Sequence, residues 1–236
     1  MISFFFIMIK KQILNEEILK SIESNYVFSK EPINRIGNIN EAKNIKLQLE
    51  KLRNKISLIE NCNLKDNGKK MVFSDGNFNS QIMIVGEGPG EKEDLIGRPF
   101  VGDAGNLLDK MLLAINIKRE NVYITNVVNY RPPNNRKPEP SEINRYSEFL
   151  REHISIINPK ILILMGSTAM EALFGAKIKI SKERGKWKEV IINNKTYLVM
   201  LTFHPAYLLR QADQKKYSWA DLKGIRKKID ELNIDI

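Results

Sequence analysis

From residue 71 onward, short apolar runs alternate with amphipathic stretches, and this alternation constrains the fold more than any other feature of the chain. Residues 81–85, 122–128, 161–165 and 197–202 read as buried strands. Residues 104–115, 141–157, 167–174 and 218–232 read as helices, with Ser141 the expected N-cap before Glu142 and Gly175 placed to stop the helix that starts at Ser167. Strands that alternate with helices build a parallel sheet covered on both faces. Upstream, residues 12–27 and 40–60 carry apolar side chains at helical spacing, among them Ile13, Leu14, Ile18 and Leu19, then Ile45, Leu49, Leu52 and Ile56. Residues 61–70 are polar and rich in Lys and Asn. The expected organisation is a helical N-terminal extension and linker over residues 1–70, followed by one α/β domain over 71–236.

Composition narrows the setting. The single cysteine, Cys62, excludes a disulfide framework within one chain and a cysteine-rich metal site, and it suits a reducing, cytoplasmic compartment. The apolar run over residues 2–9 is too short to span a bilayer, so no membrane association is expected. Its basic pair, Lys10 and Lys11, follows the run instead of preceding it, which argues against a secretory signal. The net charge of +10 favours a polyanionic partner such as nucleic acid, although Lys, Asn and Ile abound along the whole chain, as an AT-rich coding sequence would give.

Three separated segments each close a strand-like run. They are Gly86-Glu87-Gly88-Pro89-Gly90, Asn126 with the following Asn129-Tyr130-Arg131-Pro132-Pro133, and Phe203-His204-Pro205. Strand ends of an open parallel sheet converge at one edge, where ligands of such folds bind. The glycines let backbone pass close to a ligand and turn N–H groups toward a developing negative charge; a tight turn without a ligand is the alternative. The acidic Glu91, Glu93 and Asp94 that follow are hostile to a dinucleotide pyrophosphate, and no Gly-Lys-Ser/Thr completes a P-loop. Phe100, held between Pro99 and Gly102, is suited to stacking on a flat ring or to plain loop anchoring. The amide of Asn126 offers a donor and an acceptor, the complement of a pyrimidine edge, and equally suits a cap. His204 can donate to an oxygen that becomes anionic. The basic segment 131–138, with Arg136, suits a phosphate backbone or a solvated loop. Leu208 and Leu209 either wedge into a base stack or pack beneath the helix that carries them.

Taken in order, Met83–Asp94, Gly97–Gly102, Tyr123–Asn126, Arg131–Arg136, Arg184-Gly185-Lys186-Trp187 and His204–Arg210 resemble the family 4 uracil-DNA glycosylases over about residues 71–227. The resemblance implies a three-layer α/β/α sandwich around a four-stranded parallel sheet. It implies hydrolysis of the N-glycosidic bond of deoxyuridine in DNA. It implies that Phe100 stacks on the extruded uracil and Asn126 reads its edge. Backbone at Gly86 and Gly88, together with His204, would meet the uracil O2, while Glu87 and Glu93 are the acidic candidates lining the pocket. Arg136, Leu208 and Arg210 would contact DNA, with Leu208 filling the emptied stack.

Such enzymes typically hold a [4Fe-4S] cluster through four cysteines. Those positions read Ile59, Cys62, Tyr130 and Tyr146 here, so the expectation is no cofactor and no metal. The expected protein is a monomer acting on uracil-containing DNA, with residues 1–70 available to repair or polymerase partners. Two rival classes are a module that binds uracil or abasic sites without cutting, and an accessory domain of a polymerase.

Overall fold

A computed structural model describes residues 35–175 and 179–235, with side chains from residue 41. The expected helix over 12–27 and the apolar run over 2–9 lie outside the described residues. The helices are α1 (Arg35–Ser57), α2 (Asn63–Asn67), α3 (Glu91–Ile96), α4 (Asp103–Leu113), α5 (Pro140–Ile157), α6 (Ser167–Phe174), α7 (Ile180–Glu183), α8 (Pro205–Arg210) and α9 (Lys215–Glu231). The strands are β1 (Asp75–Gly76), β2 (Ile82–Gly86), β3 (Tyr123–Asn126), β4 (Ile161–Met165), β5 (Trp187–Ile192) and β6 (Lys195–Thr202).

These strands form one sheet of six, in the order β1-β3-β2-β4-β6-β5. The inner four are parallel, as the alternation of elements predicts, while β1 and β5 add antiparallel edges. The expectation of a four-stranded parallel sheet is corrected to that extent. The strand β5 joins β6 through Asn193 and Asn194, both at positive φ (49° and 61°). This is the backbone demanded by a two-residue hairpin turn matched to strand twist.

Side chains of the inner strands alternate between two cores. Met83, Val85, Leu162, Leu164, Val199 and Leu201 face one layer, built from α1, α5 and α6. Ile82, Ile84, Ile161, Ile163 and Met200 face the other, built from α4, α8 and α9. Each such aliphatic side chain, buried, contributes about 1.5–3 kcal/mol of transfer free energy. The compact unit that holds the sheet begins at Glu41. Leu49, Leu52, Ile56 and Leu64 are buried in its first core, so packing does not change near residue 70, where the sequence places a boundary. The polar segment 61–70 conceals α2, whose Leu64 is the buried anchor.

The N-cap of α5 is Glu139, not Ser141. Pro140 has no N–H to satisfy and a φ preset for the first helical position, which starts the helix earlier. Glu142 then reaches back to accept the Glu139 N–H at 2.7 Å.

Candidate active site

The parallel strands end together. Gly86 pairs in register with Asn126, and Met165 with Thr202. The chain runs from β2 to its neighbour β3 on one side, then returns to β4 on the other side of β2. The loops after β2 and β4 therefore diverge and leave a crevice at the carboxyl edge. A cleft of about 720 Å³ opens there. Glu87, Gly88, Glu93, Phe100, Asn126, Arg136, His204 and Arg210 all line it. Gly86 is buried and is not itself among the lining residues: a Cβ on it would sit 2.4 Å from Asn126 Oδ1 and 2.5 Å from the Phe100 ring, so a side chain there would displace both groups.

Phe100 is buried and adopts a positive φ of 52°. For an aromatic residue this backbone costs about 1–3 kcal/mol and persists only where the surroundings enforce it. Here they do. Glu93 accepts the N–H of Val101 at 2.9 Å and of Gly102 at 2.8 Å through Oε1, and that of Gly90 at 3.1 Å through Oε2. Arg119 donates to the carbonyls of Phe100 and Pro99 at 3.0 and 2.7 Å. The α4 backbone presses against the same carbonyl, since a Cβ on Gly105 would lie 1.9 Å from Phe100 O. The Phe100 ring lies at 27° to the His204 ring with centroids 5.5 Å apart. Glu93 thus stands at the cleft wall with both carboxylate oxygens occupied by backbone donors, and its structural part is to join the Gly-rich turn to the Phe100 loop.

His204 is the N-cap of α8, and its Nδ1 accepts the Ala206 N–H at 3.2 Å. Because Nδ1 is an acceptor, the neutral ring carries its proton on Nε2. One edge of the residue remains reachable from the cleft, but the groups packed round the imidazole desolvate it. With the Arg210 charge adding to the effect, its pKa is pushed down to about 4. The other histidine, His153, lies away from the cleft. It stacks on Phe73 and shares a hydrogen bond with Tyr123 Oη at 2.7 Å, and burial pushes its pKa down to about 3.

Two consequences for pH follow. His204 stays a neutral donor through the physiological range, so the single-turnover rate of the site should carry no His204 titration near pH 6.5 and change on its account only toward pH 4, where protonation of Nδ1 breaks the bond from the Ala206 N–H. A half-loss centred at 6.5 in a pH–rate profile would contradict this. For stability, the unfolded chain binds more protons than the folded one between the depressed values and about 6.5, so the contribution of both histidines is whole above 6.5 and declines as pH falls below it.

Glu87 accepts a hydrogen bond from the buried Thr168 hydroxyl at the start of α6 through Oε2. Sequence reasoning missed Thr168, although Gly166-Ser167-Thr168 at a strand-to-helix junction was a signal for it. It also missed Arg119, which no local motif marks. Arg136 lines the cleft, yet its guanidinium is paired with both oxygens of Glu142 at 2.7 and 2.8 Å. Leu208 is not on this surface. It is 1% exposed, packed with Leu108, Met165 and Leu222 in the second core, because α8 turns that face inward. Its neighbour Leu209 is 47% exposed. The expectation of Leu208 as a wedge is therefore corrected.

Residues 73–223 match the model of the uracil DNA glycosylase superfamily. A type-4 uracil-DNA glycosylase of Thermotoga maritima is 47% identical over 150 residues, which are 63% of this chain and 77% of that protein. The chain belongs to the family 4 uracil-DNA glycosylases. Relatives of the same description from Sulfurisphaera tokodaii and Archaeoglobus fulgidus are 40% and 36% identical, over 75% of this chain in each case and 83% and 91% of their own lengths.

Family membership raises the question of the iron–sulfur cluster. Ile59, Cys62, Tyr130 and Tyr146 are all buried in the first core. The Cys62 thiol lies 3.4 Å from the Tyr146 hydroxyl. Burial pushes the phenols of Tyr146 and Tyr130 above their ordinary range, so both stay protonated, and the nearby Cys62 adds to the shift. One thiol, two neutral phenols and an alkyl group do not form the four-thiolate set that holds such a cluster. Among the described residues, no three His, Cys, Asp or Glu side chains are grouped to hold a metal ion.

Proposed function

We propose that this cleft receives a deoxyuridine swung out of DNA and hydrolyses its N-glycosidic bond, releasing uracil and leaving an abasic site for base-excision repair. One observation carries the reading: a ring face at Phe100, an amide at Asn126 and a neutral imidazole at His204, from three distant segments, line one cleft. Extruding a base costs a few kcal/mol of stacking and pairing, which stacking on Phe100 and hydrogen bonds at Asn126 offset. As the bond between C1′ and N1 lengthens, its electron pair moves onto the base and charge gathers at O2. The Nε2–H of His204 and backbone N–H groups of the turn over residues 86–88 then act as donors to that charge, set in place before the reaction. Water supplies hydroxyl to C1′ and its other proton to the departing base. Glu87, with one oxygen held by Thr168, orients that water with the other.

The outer contacts follow from exposure. Leu209 takes the place in the stack vacated by the base, and Arg210, on the cleft rim, meets phosphate. Arg136 contributes there only after loosening its pair with Glu142. In our reading the protein works without an iron–sulfur cluster, and the packing of Ile59, Tyr130 and Tyr146 supplies the rigidity that a cluster would otherwise give.

The test is a gel assay on a uracil-containing oligonucleotide. Alkali-labile strand breaks at the uracil are expected. Tight binding without release would instead favour a non-catalytic binding module. In the same assay, Asn126→Asp should admit cytosine, because a protonated carboxyl presents a different donor and acceptor set to the base edge. Unchanged selection against cytosine would contradict the role given to Asn126.

A further inference from the structure

The strained Phe100 backbone has two anchors of opposite charge, and only one of them touches the cleft. Glu93 holds the N–H groups after Phe100 and lines the cleft. Arg119 approaches from outside and holds the carbonyls of Pro99 and Phe100. Its guanidinium is itself fixed on both sides. Nε donates to Asp75 Oδ2 at 2.9 Å, and Nη1 donates to Asp109 Oδ1 at 2.9 Å. Asp75 sits on β1, Asp109 on α4, and Arg119 in the 3₁₀ turn before β3. Arg98, in the stacking loop itself, closes the network with paired bonds to Asp75 at 3.1 and 2.9 Å. Burial pushes the Asp75 carboxyl up, but its hydrogen bonds to Arg98 and Arg119 and their charges outweigh this and hold it below the usual carboxylate range.

We infer that Arg119 is a positioning residue for uracil capture: by clamping the carbonyls of Pro99 and Phe100 it holds Phe100 in the left-handed backbone that presents its ring to the flipped base. The inference rests on the stacking role of Phe100. The geometry needs arginine in particular. Two carbonyls and two carboxylates are reached by one planar fork, which the single ammonium of lysine cannot reproduce. Without the clamp, Phe100 relaxes toward negative φ and its ring leaves the cleft floor beside Asn126 and His204. The reaction itself is not routed through Arg119, so its loss acts on base capture before it acts on bond cleavage.

The experiment measures inhibition by free uracil, KM and kcat on a uracil-containing oligonucleotide, and thermal midpoint. The proteins are the full chain, Phe100→Ala, Arg119→Met, Arg119→Lys, the double variant Phe100→Ala/Arg119→Met, and Arg98→Met. Arg98→Met is the control that cuts the Asp75 network without touching either carbonyl. Arg119→Met should weaken uracil inhibition at least about fivefold, with the larger effect in KM, and Arg119→Lys should recover only part of that loss. In the Phe100→Ala background the same change should add less than about twofold, since the ring it positions is gone. Arg98→Met should keep wild-type uracil inhibition.

Should Arg119→Met not fold, Arg119→Lys carries the test, with a weakening of about threefold expected. Wild-type uracil affinity in either Arg119 variant, or a full additional loss on top of Phe100→Ala, would overturn the inference. Unchanged affinity in Phe100→Ala alone would overturn the stacking role and this inference with it, so the two failures are distinguishable.

Discussion

His204→Ala should lower the single-turnover rate of uracil release by about 10²–10³-fold while leaving binding of uracil-containing DNA within a few-fold, the size of effect seen when one preset donor to a developing anion is removed. The reasoning is geometric. The ring is N-cap of α8, its Nδ1 is occupied by the Ala206 N–H, and its remaining N–H lies on the cleft side. Burial keeps it neutral, so it acts as a hydrogen-bond donor and not as a positive charge. His204→Asn retains a side-chain N–H and should recover part of the rate. Rate and binding are separable here: a variant that loses DNA binding in proportion to rate would show that His204 serves capture instead of bond cleavage.

Glu93→Ala should be the most damaging change outside the residues that meet the base. Three backbone N–H groups point at its carboxylate, from Gly90, Val101 and Gly102. Hydrogen bonds to a charged acceptor contribute about 1.5–3 kcal/mol each where buried, as the Gly102 bond is, while the Gly90 and Val101 bonds are part-buried and water replaces much of what they lose. A loss of roughly 3–5 kcal/mol in unfolding free energy is expected, together with weaker uracil capture as Phe100 shifts and about a hundredfold or greater fall in rate as the Gly-rich turn, released at Gly90, loses its place. Glu93→Gln should fall between. Its amide oxygen can serve the pair at Val101 and Gly102, but its NH₂ then faces the Gly90 N–H. Denaturant unfolding and single-turnover kinetics on both variants check this. A Glu93→Ala protein of unchanged stability would show that these bonds do not hold the loop.

How much of this could be read in the chain differs by kind of residue. The strand at 161–165 and the helix at 167–174 were legible to the residue, because an uninterrupted aliphatic run bounded by Gly166 and Gly175 leaves little choice. The site was legible where side chains follow strand ends, as Asn126 and His204 do. The edge strand β5 was not. It is half exposed, its pattern is mixed, and the Asn193-Asn194 turn that signals the hairpin was passed over.

Other misreadings arose from tertiary geometry. Leu208 and Leu209 are indistinguishable in sequence, and only the orientation of α8 decides which is buried. Glu93 lines the cleft as the resemblance implies, but its hold on backbone N–H groups up to nine residues away is not registered by composition. Arg119 depends on Asp75, 44 residues upstream, and on two carbonyls of another loop. Contacts of that kind become visible only once the sheet has brought their segments together.

The most direct test of the account measures iron and activity on one purified sample. Uracil release from a uracil-containing oligonucleotide, with iron far below one atom per chain and no visible thiolate-to-iron absorption, is the predicted result. About four iron atoms per chain, or activity that disappears when iron is stripped under conditions that leave the fold intact, would contradict it.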